Sequence, residues 1–426
     1  MGQGSTIYKI GSGRYSFESQ LQNNMVKDAF VIKLSIIVYV ILPVLLIGQN
    51  NITLSVRQSI ADRQLPASDL WYEGIPLGNG DLGMIAYGAD NRLTFAVGKN
   101  DFWDRRYDND VKSGKEYRPQ PKPVCKIRIW QPSTETESGM KSLRPLTHRL
   151  SLEDAELTTS TANFSVVSRV QKDQNLVIIR LSGIKQKTII SLYRSADTTN
   201  SDIANPVYNA PNGIGSIIQD MPPERTYPKG FRCAVAAKLS KGSDPEINRE
   251  GITWLVTGDC ILSVAVVTTR DHIKPLSRSQ EIISNMTDNE SLWQSHKTEW
   301  KGFWDKSWMN IDDEEIQAMW YNYNYLLASA TKPGAIAPGL FSPWIVNDES
   351  AWRGSYTIDY NFQQTYCAAL SSNHPELMEP YFETVEEALP NAREIAKELY
   401  GKEGITFPHE MFPVKAKGKL LADNVL

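Results

Sequence analysis

The chain has 426 residues, 41% of them hydrophobic and 22% charged, with a formal net charge of −4. This is an ordinary globular balance with room for two or three domains of roughly 150 residues each. It has no basic stripe, which argues against nucleic acid as a partner. The four cysteines, Cys125, Cys233, Cys260 and Cys367, form no CxxC pair, and the five histidines show no metal-ligand spacing. Neither a metal nor another cofactor is therefore expected. Buried free thiols are the expected state of the cysteines, with disulfides the alternative outside the cell. Aromatic residues make up 10% of the chain, with 11 Trp and 18 Tyr, a supply suited to carbohydrate recognition.

Residues 1–24 are polar and lack core periodicity, and they read as an upstream extension. From Met25 the sequence has the form of a signal peptide spanning 25–48. Lys27 and Lys33 form a basic start, Leu34 to Ile47 an apolar run, and Gly48-Gln49 a cleavage point. A membrane anchor is the alternative, although the run is short against the roughly 20 residues that a spanning helix needs. A secreted or periplasmic protein is expected, touching a membrane only through this segment.

Residues 51–290 are expected to form a β-sandwich. Arg92–Val97, Cys125–Trp130, Phe164–Val170, Leu176–Leu181, Thr188–Tyr193, Ile252–Thr257 and Cys260–Thr268 are short runs rich in Val, Ile and aromatics, without helices between them. Gln171–Asn175 marks one hairpin, and Gly258-Asp259 marks a second, two-residue one. Asn200–Lys229, rich in Pro and Asn, reads as a long loop. Helical spacing follows. Leu292, His296, Trp300 and Trp304 fall four apart and define a linker helix in 291–311. Asp312-Asp313-Glu314-Glu315 caps a second helix, expected to bury Ile316, Met319, Trp320, Tyr323 and Leu327. Lys332–Pro343 is a loop. A third helix begins near Asn373-His374-Pro375, carries an apolar stripe from Leu377 to Leu399 with Pro390 as a kink, and ends at Gly401. Three helices do not close a helical domain, so 312–426 reads as the first part of one, in a chain expected to be a fragment.

The stretch from Trp352 to Tyr366 concentrates the chemistry. Asp359 and Asn361 lie two apart, so in extended backbone they point the same way and can hold one water between a carboxylate and an amide. Trp352, Tyr356, Tyr360 and Tyr366 offer rings for a sugar to stack on. A polar loop leading into a buried aromatic helix is the alternative reading of the same residues.

Two motifs carry a resemblance. Pro76-Leu77-Gly78-Asn79-Gly80-Asp81-Leu82-Gly83 resembles the opening motif of glycoside hydrolase family 95, the α-L-fucosidase family. It also resembles that of a related uncharacterised group, which has a Lys-x-Asp-x-Trp motif like the one from Lys99 to Trp103. Gly354, Tyr356, Asn361, Gln363 and Tyr366 match the family's barrel motif, while Thr357, Asp359 and Cys367 replace its His, first Asn and final Trp. Gly404 to Glu410 is similar to a substrate-binding segment, with Glu410 in place of Asn. The resemblance implies an α+β multidomain protein, an N-terminal β-sandwich followed by an (α/α)6 barrel, that hydrolyses glycosides with inversion. It implies Asp359 and Asn361 as the residues holding the attacking water, and Trp352, Tyr356, His409 and Glu410 as sugar-binding residues. In the family the general acid lies beyond these motifs, and none is assigned here. The expected partner is an oligosaccharide or polysaccharide carrying α-L-fucose or a related sugar such as L-galactose. A non-catalytic carbohydrate-binding protein of the same architecture is the second reading.

Overall fold

The structure, a computed structural model, describes residues 62–66, 70–88, 90–106, 119–136, 138–286, 289–341 and 343–413, with 62–66 and Asn289 as backbone only. The expected upstream extension, signal peptide and C-terminal tail lie outside these residues. Among the described residues no helix is long and apolar enough to cross a membrane.

Two antiparallel sheets form a sandwich. The strands run β1 (Asp62–Pro66), β2 (Ile75–Gly78), β3 (Leu82–Tyr87), β4 (Leu93–Asp104), β5 (Gln120–Trp130), β6 (Thr147–Ser151), β7 (Glu156–Ser160) and β8 (Ser165–Val170). They continue as β9 (Leu176–Ser182), β10 (Thr188–Tyr193), β11 (Val207–Asn209), β12 (Gly215–Met221), β13 (Phe231–Leu239), β14 (Glu246–Asn248), β15 (Gly251–Val256) and β16 (Cys260–Thr268). One sheet has the order β1-β6-β7-β8-β9-β16-β13-β12-β11, the other β14-β15-β10-β5-β4-β3-β2. Alternation decides which side faces in. Phe95, Ile127, Leu192 and Trp254 from one sheet share a core with Val177, Ile179, Val235 and Val264 from the other. Cys125, Cys233 and Cys260 are buried free thiols, and Cys367 is a free, exposed one.

The structure corrects two sequence expectations here. Gly258-Asp259 does not close a hairpin, because β15 pairs with β10 in one sheet while β16 pairs with β9 and β13 in the other. The turn instead carries the chain between the layers. Asn200–Lys229 is not a loop throughout, since it contains β11 and β12, and Ile217 and Met221 reach the core. The β8–β9 hairpin is as read.

Helices follow the sandwich: α1 (Pro275–Ser284), α2 (Asn289–Trp304), α3 (Glu314–Ala330), the single turns α4 (Asn361–Gln364) and α5 (Cys367–Ser371), and α6 (Glu379–Tyr400). In α2 the predicted stripe is buried, with His296, Trp300 and Trp304 all under the surface. Asp313 caps α3 as expected, its Oδ1 accepting from the backbone N–H of Glu315 at 3.1 Å and of Ile316 at 3.0 Å. The buried face of α3 matches the expected one in part: Leu327 is buried, and Trp320 and Tyr323 pack against the core half-buried. Ile316 and Met319 are exposed, while Tyr321, Asn324, Tyr325 and Ala328 are buried. α3 packs its Ala328-Ser329 end on the sandwich rim, and that docking sets the phase of the helix. Pro390 lies inside one unbroken helix, and Gly401, with φ 62°, ends it in a left-handed cap.

Candidate functional site

Glycines let the helical segment close on the sandwich. A Cβ on Gly78 would lie 2.2 Å from the Ser329 carbonyl oxygen, and one on Gly98 would lie 2.2 Å from that of Pro343. Across this contact the Gly80 N–H donates to Ser329 O at 2.9 Å, the Tyr325 hydroxyl to Pro76 O at 2.9 Å, and Trp344 Nε1 to Leu77 O at 2.9 Å. The Pro76–Gly83 motif is therefore a docking surface. Asn79 Oδ1 accepts from the Asp81 and Leu82 N–H groups, which holds the turn. Under it, Lys99 Nζ lies 2.8 Å from Asp81, 3.0 Å from Asp101 and 3.3 Å from Asp271. Burial raises Asp101 to about 6 against the pull of Lys99. At Asp81 burial is the largest effect and opposes the charge, but Lys99, Lys332 and the hydrogen bonds from Lys99 and Asn175 together outweigh it and hold that carboxyl below its ordinary value.

Beyond the docking surface, the segment from Lys332 to Tyr360 crosses the rim of the seven-stranded sheet. Arg194 clamps it by gripping both carboxylate oxygens of Asp348, and Lys122 Nζ donates to Asp348 O at 3.2 Å. Trp352, Arg353, Gly354 and Thr357 take positive φ values of 46°, 52°, 60° and 44°. Such a cluster of left-handed residues, three of them not glycine, is strain of the kind stored at functional sites. The segment then pairs with the chain after α6. The Tyr356 N–H donates to Met411 O at 2.9 Å and the Ile358 N–H to His409 O at 2.8 Å.

This pairing brings four polar residues together as two pairs. His409 Nε2 lies 3.4 Å from Asp359 Oδ1, both side chains about a third exposed, and Arg353 Nη1 lies 3.8 Å from Glu410 Oε2. Glu410, Arg353 and Trp352 line a cleft of about 910 Å³ with Lys126, Tyr193, Arg194, Asp348 and Glu349. The Trp352 ring is 71% exposed, as a sugar platform requires.

The other predicted residues are placed differently. Asp359 and Asn361 do not share an extended face. The backbone turns at 358–360, Tyr360 has φ −154° and ψ −51°, and Asn361 opens α4 with its side chain exposed. Tyr356 is buried, its hydroxyl donating to Ala337 O at 3.0 Å and its ring 4.5 Å from that of Phe362, so it offers no open stacking face. Tyr366 is likewise buried, and burial raises its hydroxyl pKa. Trp103 is core, and its ring meets Phe412 edge-on. Reading the sequence missed Arg353, Lys126, Arg194 and Asp348, because their meeting depends on how the rim segment crosses β5 and β10. A second cleft, of about 480 Å³, lies between Arg105, Tyr227 and α6. Among the described residues no group of three or more His, Cys, Asp or Glu is placed to hold a metal.

Comparison with known proteins fits this geometry. Residues 276–419 match the family model described as the glycosyl hydrolase family 95 catalytic domain. The matched segment takes in α2 to α6, all but the first residue of α1, and both sides of the backbone pairing between 356–358 and 409–411. Alpha-L-fucosidase 2 of Arabidopsis thaliana is 26% identical over 148 residues, 34% of this chain and 17% of that protein. Probable alpha-fucosidase A of Aspergillus niger is 31% identical over 97 residues, 22% of this chain and 12% of that protein. The match therefore spans less than a fifth of either relative. A solved structure, "Putative kojibiose phosphorylase from human microbiome", superimposes with a TM-score of 0.56 at 13% identity. It covers 79% of this chain and 49% of that one, and it shares the sandwich-then-helices fold.

Proposed function

We propose that this chain carries part of the active site of a secreted glycoside hydrolase that cleaves α-L-fucosyl or related α-L-glycosidic bonds with inversion, in the barrel-type architecture that the sequence motifs imply. The observation that carries the reading is the pairing of Tyr356 and Ile358 with Met411 and His409 inside the segment that matches family 95, because it forms the Asp359–His409 pair next to the Arg353–Glu410 pair, whose two residues line a cleft with Trp352 and Tyr193. An inverting enzyme needs a base to take a proton from water on the face opposite the leaving group. Asp359 is assigned that role. His409 Nε2 lies 3.4 Å from one of its oxygens, which leaves the other for the water. Asn361 keeps a helping role toward the water on the strength of the motif resemblance alone, since it sits exposed in the first turn of α4 and off the face of Asp359. Trp352 stacks on the sugar, and Glu410 accepts from its hydroxyls. No residue of this chain is assigned the general acid, so the 426-residue chain is expected to bind sugar without measurable turnover.

The test sets aryl α-L-fucoside and α-L-galactoside before this chain and before the full product of its gene. Asp359→Ala in the active form is expected to lower kcat by about 10²–10⁴ with little change in substrate binding, and Asn361→Ala by less. Wild-type turnover by the Asp359→Ala enzyme removes Asp359 from the mechanism, and turnover by the 426-residue chain alone places the acid within it. Export is tested by N-terminal sequencing of secreted protein, which is expected to start near Gln49. Soluble protein that keeps residues 25–48 rules the leader out.

A further inference from the structure

The same cleft is lined by three cations, Lys126, Arg194 and Arg353, and three carboxylates, Asp348, Glu349 and Glu410, and they do not all pair with one another. Strand register puts Lys126 and Arg128 of β5 on the outer face of the seven-stranded sheet, opposite Tyr193 and Ser191 of β10. The arginines nearest Lys126 are committed. Arg194 grips Asp348, Arg353 faces Glu410, and Arg128 lies 3.9 Å above the Tyr193 ring with Glu250 at 3.9 Å. Lys126 is more than half-buried and makes no ion pair within 4 Å among the described residues. Burial and the neighbouring Arg128 guanidinium push its ammonium below the ordinary lysine range, with Arg194 adding to the push and Asp348 opposing it. A cation held half-dry beside like charges gains from any anion that reaches it.

We propose that this cleft has a subsite for an anionic group on the glycan, a carboxylate or a sulfate ester, held by Lys126. The inference rests on reading the cleft as the glycan site and adds a charge requirement to it. Lys126 supplies a point charge with three donors, which suits a carboxylate or sulfate oxygen from several directions. The Trp352 wall takes the apolar face of the adjoining sugar. Arg194 stays bound to Asp348 and so does not compete for the anion.

The experiment is calorimetric titration of the intact chain with three trisaccharides that each end in an α-L-fucosyl residue: one carrying a galacturonate, one a galactose 6-sulfate, and the neutral one. At low salt, one acidic probe is expected to bind about tenfold tighter than the neutral one, a gap that narrows as salt rises. Whichever acidic probe wins identifies the substituent. Lys126→Gln is expected to erase the preference and leave neutral binding in place, and Lys126→Arg to keep it, with unchanged thermal transitions showing that both variants fold. Equal binding of acidic and neutral probes overturns the subsite while sparing the cleft as a glycan site, and so does a preference that survives Lys126→Gln. Failure to bind any probe overturns both.

Discussion

Thr357 has φ 44° with a β-branched side chain, two residues before Asp359. Backbone of this kind costs on the order of 1–3 kcal/mol in a non-glycine residue. Thr357→Gly is therefore expected to raise the urea midpoint by the equivalent of about 1 kcal/mol while loosening the Ile358–His409 pairing that follows. The paired readout is the unfolding midpoint against sugar affinity. A variant that gains neither stability nor mobility at the site shows that the strain is not held there. None of this was legible in the sequence. The spacing of Asp359 and Asn361 suggested a shared face only on the premise of extended backbone, and the turn at 358–360 removes that premise. His409 and Glu410 were found through resemblance and share the site because backbone pairing, which no local pattern encodes, carries them there. Trp352 was more readily read as core than as platform, and its exposure shows that it is not core.

At the scale of elements, strands were the most legible feature, because alternation against a two-sided core is a local signal. Pairing between strands was not local, which is why Gly258-Asp259 looked like a hairpin and is a crossover between sheets. For α3, hydrophobic spacing found the helix, its cap and the packing of Leu327, Trp320 and Tyr323, but it also buried Ile316 and Met319, which are exposed. The helix is apolar on more than one side, and close docking at Ser329 favours small residues over bulky ones. The exposed Ile316 and Met319, with Leu370 and Phe382 on α5 and α6, leave an apolar surface on the helical segment. Such surface is expected to bind a hydrophobic dye in the folded state, and a cooperatively unfolding monomer without dye binding contradicts it. The docking glycines make a sharper prediction. Gly78→Ala puts a methyl against backbone oxygen and is expected to cost about 1–3 kcal/mol, whereas Gly258→Ala meets nothing within 4 Å and is expected to be neutral or slightly stabilising. Asp313→Ala, which removes the α3 cap, is expected to cost about 1 kcal/mol. Chemical denaturation of the three variants ranks them, and equal losses at Gly78 and Gly258 defeat the close-approach account.

Across the whole molecule, buried ionisable groups set the response to acid, and they act in opposite directions. Burial raises Glu156 to about 7 from 4.5 and Asp101 to about 6 from 3.8, so the folded chain takes up these protons before the unfolded one does. As pH falls from about 7 to 4 these two groups add stability. Burial lowers His148 to about 4 and His296 to about 3 from 6.5. His296 is held neutral between the Lys172 N–H, which donates to Nδ1 at 3.2 Å, and Asp154 O, 2.7 Å from Nε2. Its contribution is complete above pH 6.5 and is lost as pH falls toward 3. Glu376 is held at about 2 against the opposing effect of burial, through hydrogen bonds to His374 and Lys306, so its contribution is complete above 4.5 and is lost below that. The two sets offset each other between pH 7 and about 4. Below about 4 the raised acids are protonated in both states and add nothing more, while His296 and Glu376 continue to lose stability. Urea midpoints are thus expected to be nearly flat from pH 7 to about 4.5 and to drop steeply below that. Glu376→Gln is expected to flatten the limb between pH 4.5 and 2, and Glu156→Gln to tilt the plateau so that stability already falls between pH 7 and 4.5. A steep decline in the wild-type chain starting at pH 6.5 gives the histidines the upper hand and refutes the offset. A Glu376→Gln profile superimposable on wild type removes that carboxylate from the acid limb.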